Sequence, residues 1–75
     1  MFGSVVRRRR EERRLSQERL AELAEVHRNY IGLIERAERV PTIEIGRRVA
    51  SALGLRLSAL IREAELEWDR RRVAP

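Results

Sequence analysis

The sequence predicts an all-α protein of five short helices, and three observations carry that prediction. Apolar residues recur at helical spacing: Leu20, Ala21, Leu23 and Ala24 share one face, Ile31 and Ile34 another, and Leu57, Leu60, Ile61 and Ala64 a third. Ser16 and Thr42 carry hydroxyls suited to N-caps, and Gly54 suits a left-handed cap after a last helical turn. The chain has 75 residues and no cysteine, so one domain must form around one thin apolar core without disulfide support. That domain is expected over residues 1–69, with residues 70–75 as a frayed tail.

The first helix is expected over residues 4–13, capped by Ser4 and anchored by Val5 and Val6 with Phe2. The arginine run from Arg7, broken by Glu11 and Glu12, has two readings: a nucleic-acid arm, or the more ordinary solvated face with Glu/Arg pairs four apart. Leu15 stands in the place of a hydrophobic staple, and Gln17 opens the second helix after the Ser16 cap. Ala21 is small where a second helix must cross closely, and Val26 suits the gap between the two helices. A third helix follows, with His27, Arg28 and Asn29 at its start. Glu35 to Thr42 then form a loop, in which Pro41 favours an extended residue before it. The fourth helix runs from about Ile43 to Leu53, with Val49, Ala50 and Leu53 facing the core. The fifth starts near Ser58 and reaches toward Trp68.

The net charge of +5 favours a polyanionic partner. All seventeen basic residues are arginine, which fits either selection for forked contacts to phosphate or the codon bias of a GC-rich genome. Within this basic chain, Ser16 to Arg36 reads as two short helices joined by a tight turn, a DNA-binding helix-turn-helix. The planar fork of Arg28 suits the O6 and N7 acceptors of guanine, and Asn29 suits the mixed edge of adenine. Leu33 is apolar although Ile31 and Ile34 already fill the stripe; it either meets thymine methyls or is a plain exposed leucine. Gln17 is expected to hold a phosphate, together with backbone N–H groups at the helix start. His27 flanks the third helix and can add a phosphate contact. Tyr30 is either a core residue or a contact through its hydroxyl. Arg36 and Arg39 lie just past the reading helix, where a loop follows the DNA backbone.

SQERLAELAEVHRNYIGLIER, followed by Pro41 and TIEIGRRVASALGL, is similar to the phage-repressor-type (Xre/Cro-like) helix-turn-helix family over roughly residues 5–62. Within it, HRNYI and ERAER most resemble the controller proteins of restriction–modification systems. The resemblance implies a compact five-helix, lambda-repressor-like domain that binds a near-palindromic double-stranded DNA operator as a homodimer. It implies transcriptional control as activator or repressor, with RNA polymerase as a candidate further partner. It further implies that Arg10 pairs with Glu35, and that the position of Arg39 reaches a base edge. The family's dimer interface lies on the fourth and fifth helices, where Leu55, Leu57, Ile61 and Leu66 offer surplus apolar surface. Five positions depart from the pattern. Arg14, Glu25 and Ala37 stand where the family usually has glycine, at turns that favour positive φ. Arg9 and Gly46 stand where it usually has leucine.

The sequence holds one histidine and no nucleophile–base pair, paired acids or phosphate loop, so no enzyme, metal site or cofactor is expected. No apolar run approaches the roughly 20 residues of a membrane span, and no signal pattern follows Met1. A bacterial, cytoplasmic, nucleoid-associated protein is the expectation. A reading from another class also stands: an antitoxin-type interaction module that neutralises a toxin and autoregulates through its helix-turn-helix.

Overall fold

Five helices build the computed structural model, which describes residues 1–73: α1 (Phe2–Glu12), α2 (Gln17–Ala24), α3 (Tyr30–Glu35), α4 (Ile43–Ala52) and α5 (Leu57–Val73). No strand occurs among the described residues. Two expected caps form. Ser16 accepts from the backbone N–H of Arg19 at 2.9 Å, and Thr42 accepts from that of Ile45 at 3.2 Å. Gly54, at φ +75°, follows α4 as the left-handed residue. The expected start of α1 is corrected: the helix begins at Phe2 with Met1 as N-cap, so Ser4 does not cap it. Its hydroxyl instead lies within hydrogen-bond reach of Met1 O and of Glu67 Oε1, 63 residues away. The expected tail is corrected as well, because α5 runs through position 69 to Val73; positions 74 and 75 lie outside the described residues.

The core takes something from every helix. Val5 and Val6 come from α1, Leu20, Ala21 and Ala24 from α2, Ile31 and Ile34 from α3, and Val49, Ala50 and Leu53 from α4 and its end. From α5, Leu60 is fully buried. Leu15 and Val26 pack on the margin, as their positions in the sequence suggested. Leu23, placed by its spacing on the core face of α2, is 44% exposed: α3 and α4 pack on α2 without covering it. Gly3 is needed where α1 crosses the end of α3, since a Cβ there would stand 2.2 Å from Ile34 O. Gly46, at a position where leucine is usual, leaves room that Leu57 fills from α5, 3.2 Å from where a Cβ would be.

Against α1, α5 adds charged contacts to the apolar packing of Leu57, Leu60 and Ala64. Arg9 donates to both oxygens of Glu63, the shortest bond being 2.6 Å, and Arg8 reaches the same carboxylate at 2.9 Å. Arg9 has thus exchanged the apolar contact of a leucine for a forked ion pair. The Arg9 bond is the chief reason that the Glu63 carboxyl titrates below its ordinary value of 4.5, against the opposing effect of its burial. A carboxyl with a depressed folded-state pKa contributes stability that is complete above its unfolded value and lost as pH falls through the folded one. Glu63→Gln should therefore flatten the acid limb of a stability–pH profile while changing the slope near neutrality little, as urea unfolding across pH would read.

Arg14, Glu25 and Ala37 adopt φ of 57°, 58° and 60°. The chain keeps the left-handed turns without the glycines that suit them. A non-glycine residue there costs about 1–2 kcal/mol, and glycine returns part of that gain as unfolded-state entropy. Replacing each by Gly should raise stability by about 0.5–1 kcal/mol, nearly additively because the turns are separate. Denaturant midpoints of the three single variants and the triple variant check this.

Candidate nucleic-acid interface

The turn between α2 and α3 is shaped by backbone bonds that its side chains then decorate. Glu25 turns left-handed, and its N–H and that of Val26 return to Glu22 O and Ala21 O. Arg48 reaches from α4 to donate to Glu25 O at 3.4 Å, a tie that no local pattern announces. The N–H of Asn29 donates to His27 Nδ1 at 3.2 Å, and that of Tyr30 to His27 O at 2.9 Å. His27 therefore organises the turn, with Nδ1 used as an acceptor and the ring exposed.

This geometry corrects the expected start of the third helix. His27, Arg28 and Asn29 belong to the turn, and regular α-helix begins only at Tyr30. Asn29 occupies the N-cap position in αR conformation without a side-chain cap bond. Its amide and the Arg28 guanidinium are thus exposed and, among the described residues, have no side-chain partner. Leu33 lies one helical turn further on, half-buried. Tyr30 is half-buried against the core margin, and the Arg39 guanidinium sits over its ring, 5.8 Å from the centroid. The ring of Tyr30 packs inward on one side, against the core margin, and supports an exposed cation on the other.

Gln17 and Arg36 are less available than a sequence can show. Gln17 Nε2 donates to Glu35 Oε1 at 3.0 Å, which leaves its second amide proton and the N-terminal backbone of α2 for another acceptor. Arg36 bends back over Gly32, its Nη1 standing 3.0 Å from where a Cβ would be, and Arg36 Nε donates to Glu38. Glu38 therefore competes directly for this guanidinium.

Beneath these side chains lies the pair of Arg10 and Glu35. Arg10 Nε and Nη2 donate to the two Glu35 oxygens at 2.7 and 3.1 Å, and Nη1 donates to Leu15 O at 2.7 Å. The side chains are only 12% and 4% exposed. The Glu35 bond is the main reason that the guanidinium holds its proton more tightly than usual. One cluster thus joins α1, the turn before α2, the first residue of α2 and the last of α3.

The four apolar residues expected at a dimer interface, Leu55 before α5 and Leu57, Ile61 and Leu66 on it, divide between two grooves. Leu57 and Ile61 line an apolar groove of about 400 Å³ with Phe2, Val40 and Ile43, and Val40 and Ile43 are 87% and 81% exposed. Leu55 and Leu66 line a different groove. Among the described residues no cluster of metal-ligating side chains occurs, and no helix is long and apolar enough to cross a membrane.

A small helical bundle that presents a turn-plus-helix edge in this way is of the helix-turn-helix class. The sequence profile of the helix-turn-helix family matches residues 6–60, and the chain belongs to that family. It is 39% identical over 64 residues to the immunity repressor protein of Bacillus phage phi105; the alignment takes in 85% of this chain and 44% of the repressor, so the chain spans under half of that relative. Its fold superposes on the restriction–modification controller protein C.AhdI from Aeromonas hydrophila with a TM-score of 0.76 and 36% identity, over 79% of this chain and 89% of the other. The clp gene regulator ClgR from Corynebacterium glutamicum matches with a TM-score of 0.88 at 24% identity, over 95% of this chain and 76% of that one, a likeness of fold alone.

Glu35→Ala would leave the Arg10 guanidinium largely buried without its carboxylate. The expected loss is about 3–5 kcal/mol, which approaches the whole stability of a domain this size. Thermal melts of Glu35→Ala and Glu35→Gln check this, and an unchanged midpoint in both would show the pair to be energetically idle.

Proposed function

We propose that the protein is a sequence-specific DNA-binding transcriptional regulator that acts in the cytoplasm as a homodimer on a near-palindromic operator. The observation that carries this reading is the pair Arg28 and Asn29. They are exposed hydrogen-bonding side chains at the leading edge of a helix-turn-helix, in a chain of net charge +5, and among the described residues no side chain occupies them. Arg28 reads a guanine edge and Asn29 an adenine edge, Leu33 meets a thymine methyl, and Arg39 reaches a base from its seat on Tyr30. Gln17, His27, Tyr30 through its hydroxyl, and Arg36 hold phosphates on either side. The likeness to a phage immunity repressor and to a restriction–modification controller supports control of transcription, with RNA polymerase as a further partner.

The groove around Leu57 and Ile61 supplies the two-fold contact in this proposal. Val40 and Ile43 add exposed apolar surface beside this groove, and a two-fold dimer that reads successive half-sites has its two reading helices about one DNA turn, roughly 34 Å, apart.

The experiment is a titration of variants against operator and scrambled DNA at several salt concentrations. Arg28→Ala should lose about 1–3 kcal/mol on the operator and little on scrambled DNA, collapsing discrimination. Arg36→Ala should lower both affinities and reduce the slope of log affinity against log salt by about one. Glu38→Gln, which releases Arg36 from its ion pair, should tighten both. Undiminished discrimination by Arg28→Ala would remove the base-reading role from this edge.

A further inference from the structure

Gly32 stands in the middle of α3, a helix of six residues, where the backbone gives no reason for a glycine. Gly54 is required by its positive φ, and Gly3 by the carbonyls of Ile34 and Glu35 that press on it. Gly32 has neither constraint. Glycine is the least favourable helix residue after proline, so a helix this short carries it at a loss. What surrounds the missing Cβ is different in kind. The nearest atoms belong to the ends of two side chains, Arg36 Nη1 at 3.0 Å and Gln17 Oε1 at 3.2 Å.

Gly32 is buried although both of those side chains are exposed, because they form its cover. Arg36 lies four residues further on, and a helical side chain leans back over the turn before its own Cα. Gln17 arrives from the start of α2. Its amide is turned by Glu35, whose carboxylate accepts the Nε2 proton and so directs Oε1 toward Gly32. Glu38 is bonded through Arg36 Nε, which leaves the terminal guanidinium nitrogens to another acceptor. The guanidinium and the amide thus meet over one spot on α3. They are close enough for one phosphate, at charge-assisted distances of about 2.7–2.9 Å, to accept from both.

We infer that Gly32 is a positioning residue for phosphate binding: the room above its bare Cα is the seat from which Arg36 and Gln17 grip a single DNA phosphate together. This rests on the reading of the edge as a DNA-binding surface, and adds that the grip is set by a residue without a side chain. A methyl group at this position takes the seat. Its neighbours there are flexible ends and not backbone, so the helix stays while the guanidinium and the amide are pushed apart.

A phosphate contact carries no base identity, so the probe is a labelled DNA duplex of random sequence, titrated with the full chain at several salt concentrations. Gly32→Ala should weaken binding about tenfold, as loss of one charge-assisted contact does, and flatten the slope of log affinity against log salt by about one. On an Arg36→Ala background the same substitution should change neither. Gln17→Ala and Arg36→Ala combined should cost less than the product of their separate losses, because the phosphate is shared. Gly32→Ala should also melt no lower than the parent, since alanine favours the helix. Binding and slope unchanged in Gly32→Ala, while Arg36→Ala alters both, overturn the inference and leave the DNA-binding reading standing. An equal loss on the Arg36→Ala background overturns it too, because the methyl then meets DNA directly. A lowered melting midpoint does the same by making Gly32 a requirement of the fold. A parent chain that fails to bind the duplex even at low salt removes the DNA-binding reading, and the inference with it.

Discussion

The forked bond between Arg10 and Glu35 is the constraint on which the rest depends. Taking a guanidinium and a carboxylate out of water is unfavourable, and the attraction offsets it only when geometry and remaining hydrogen bonds are good. Here both carboxylate oxygens are used by Arg10, one of them also by Gln17, and the spare guanidinium donor ends on Leu15 O. What that arrangement secures is orientation. The start of α2 and the end of α3 are held by the same carboxylate, so the angle between them is set before any ligand arrives. A hydrophobic pair of equal size would fill the space but would not register one helix end against the other.

Around that cluster the arginines divide by what already holds them. Arg7 to Arg9, Arg19, Arg47, Arg48 and Arg71 are spent on carboxylates of the same molecule. Those pairs are largely exposed and contribute little each. Their effect is to cancel charge where it would attract polyanions indiscriminately. Among the arginines that enter no such pair, Arg13, Arg14, Arg56 and Arg62 lie elsewhere, while Arg28 and Arg39 stand on the helix-turn-helix edge.

Local chemistry was legible in the sequence and long-range chemistry was not. The Ser16 and Thr42 caps and the Gly54 terminator follow from side chains acting within three residues, and the core positions of α4 follow from their period. Ser4 carried the same signal as Ser16, yet its hydroxyl answers to Glu67 on another helix, which spacing within α1 cannot reveal. Leu23 fitted the periodic stripe of α2 but falls just outside the strip that α3 and α4 cover. The start of α3 was misplaced because polar side chains after a turn look alike whether or not their backbone is helical. At the site, which residues lie on the edge could be read. That Gln17 is tied to Glu35, Arg36 to Glu38, and Arg39 to Tyr30 needed three dimensions, since each link depends on where a flexible side chain comes to rest. The positions of 63 and 67 opposite 4 and 8, both four apart, are the one long-range match that the sequence offered unused.

The chain has one tryptophan and one tyrosine, and the fold sends them to different places. Trp68 is half exposed on α5, beside Met1, Phe2 and Ile61, while Tyr30 supports the leading edge of α3. Indole absorbs to longer wavelength than phenol, so Trp68 can be excited alone, and its emission senses whether the flank of α5 is wet or covered. Events on that flank can therefore be followed on unlabelled protein without a contribution from Tyr30.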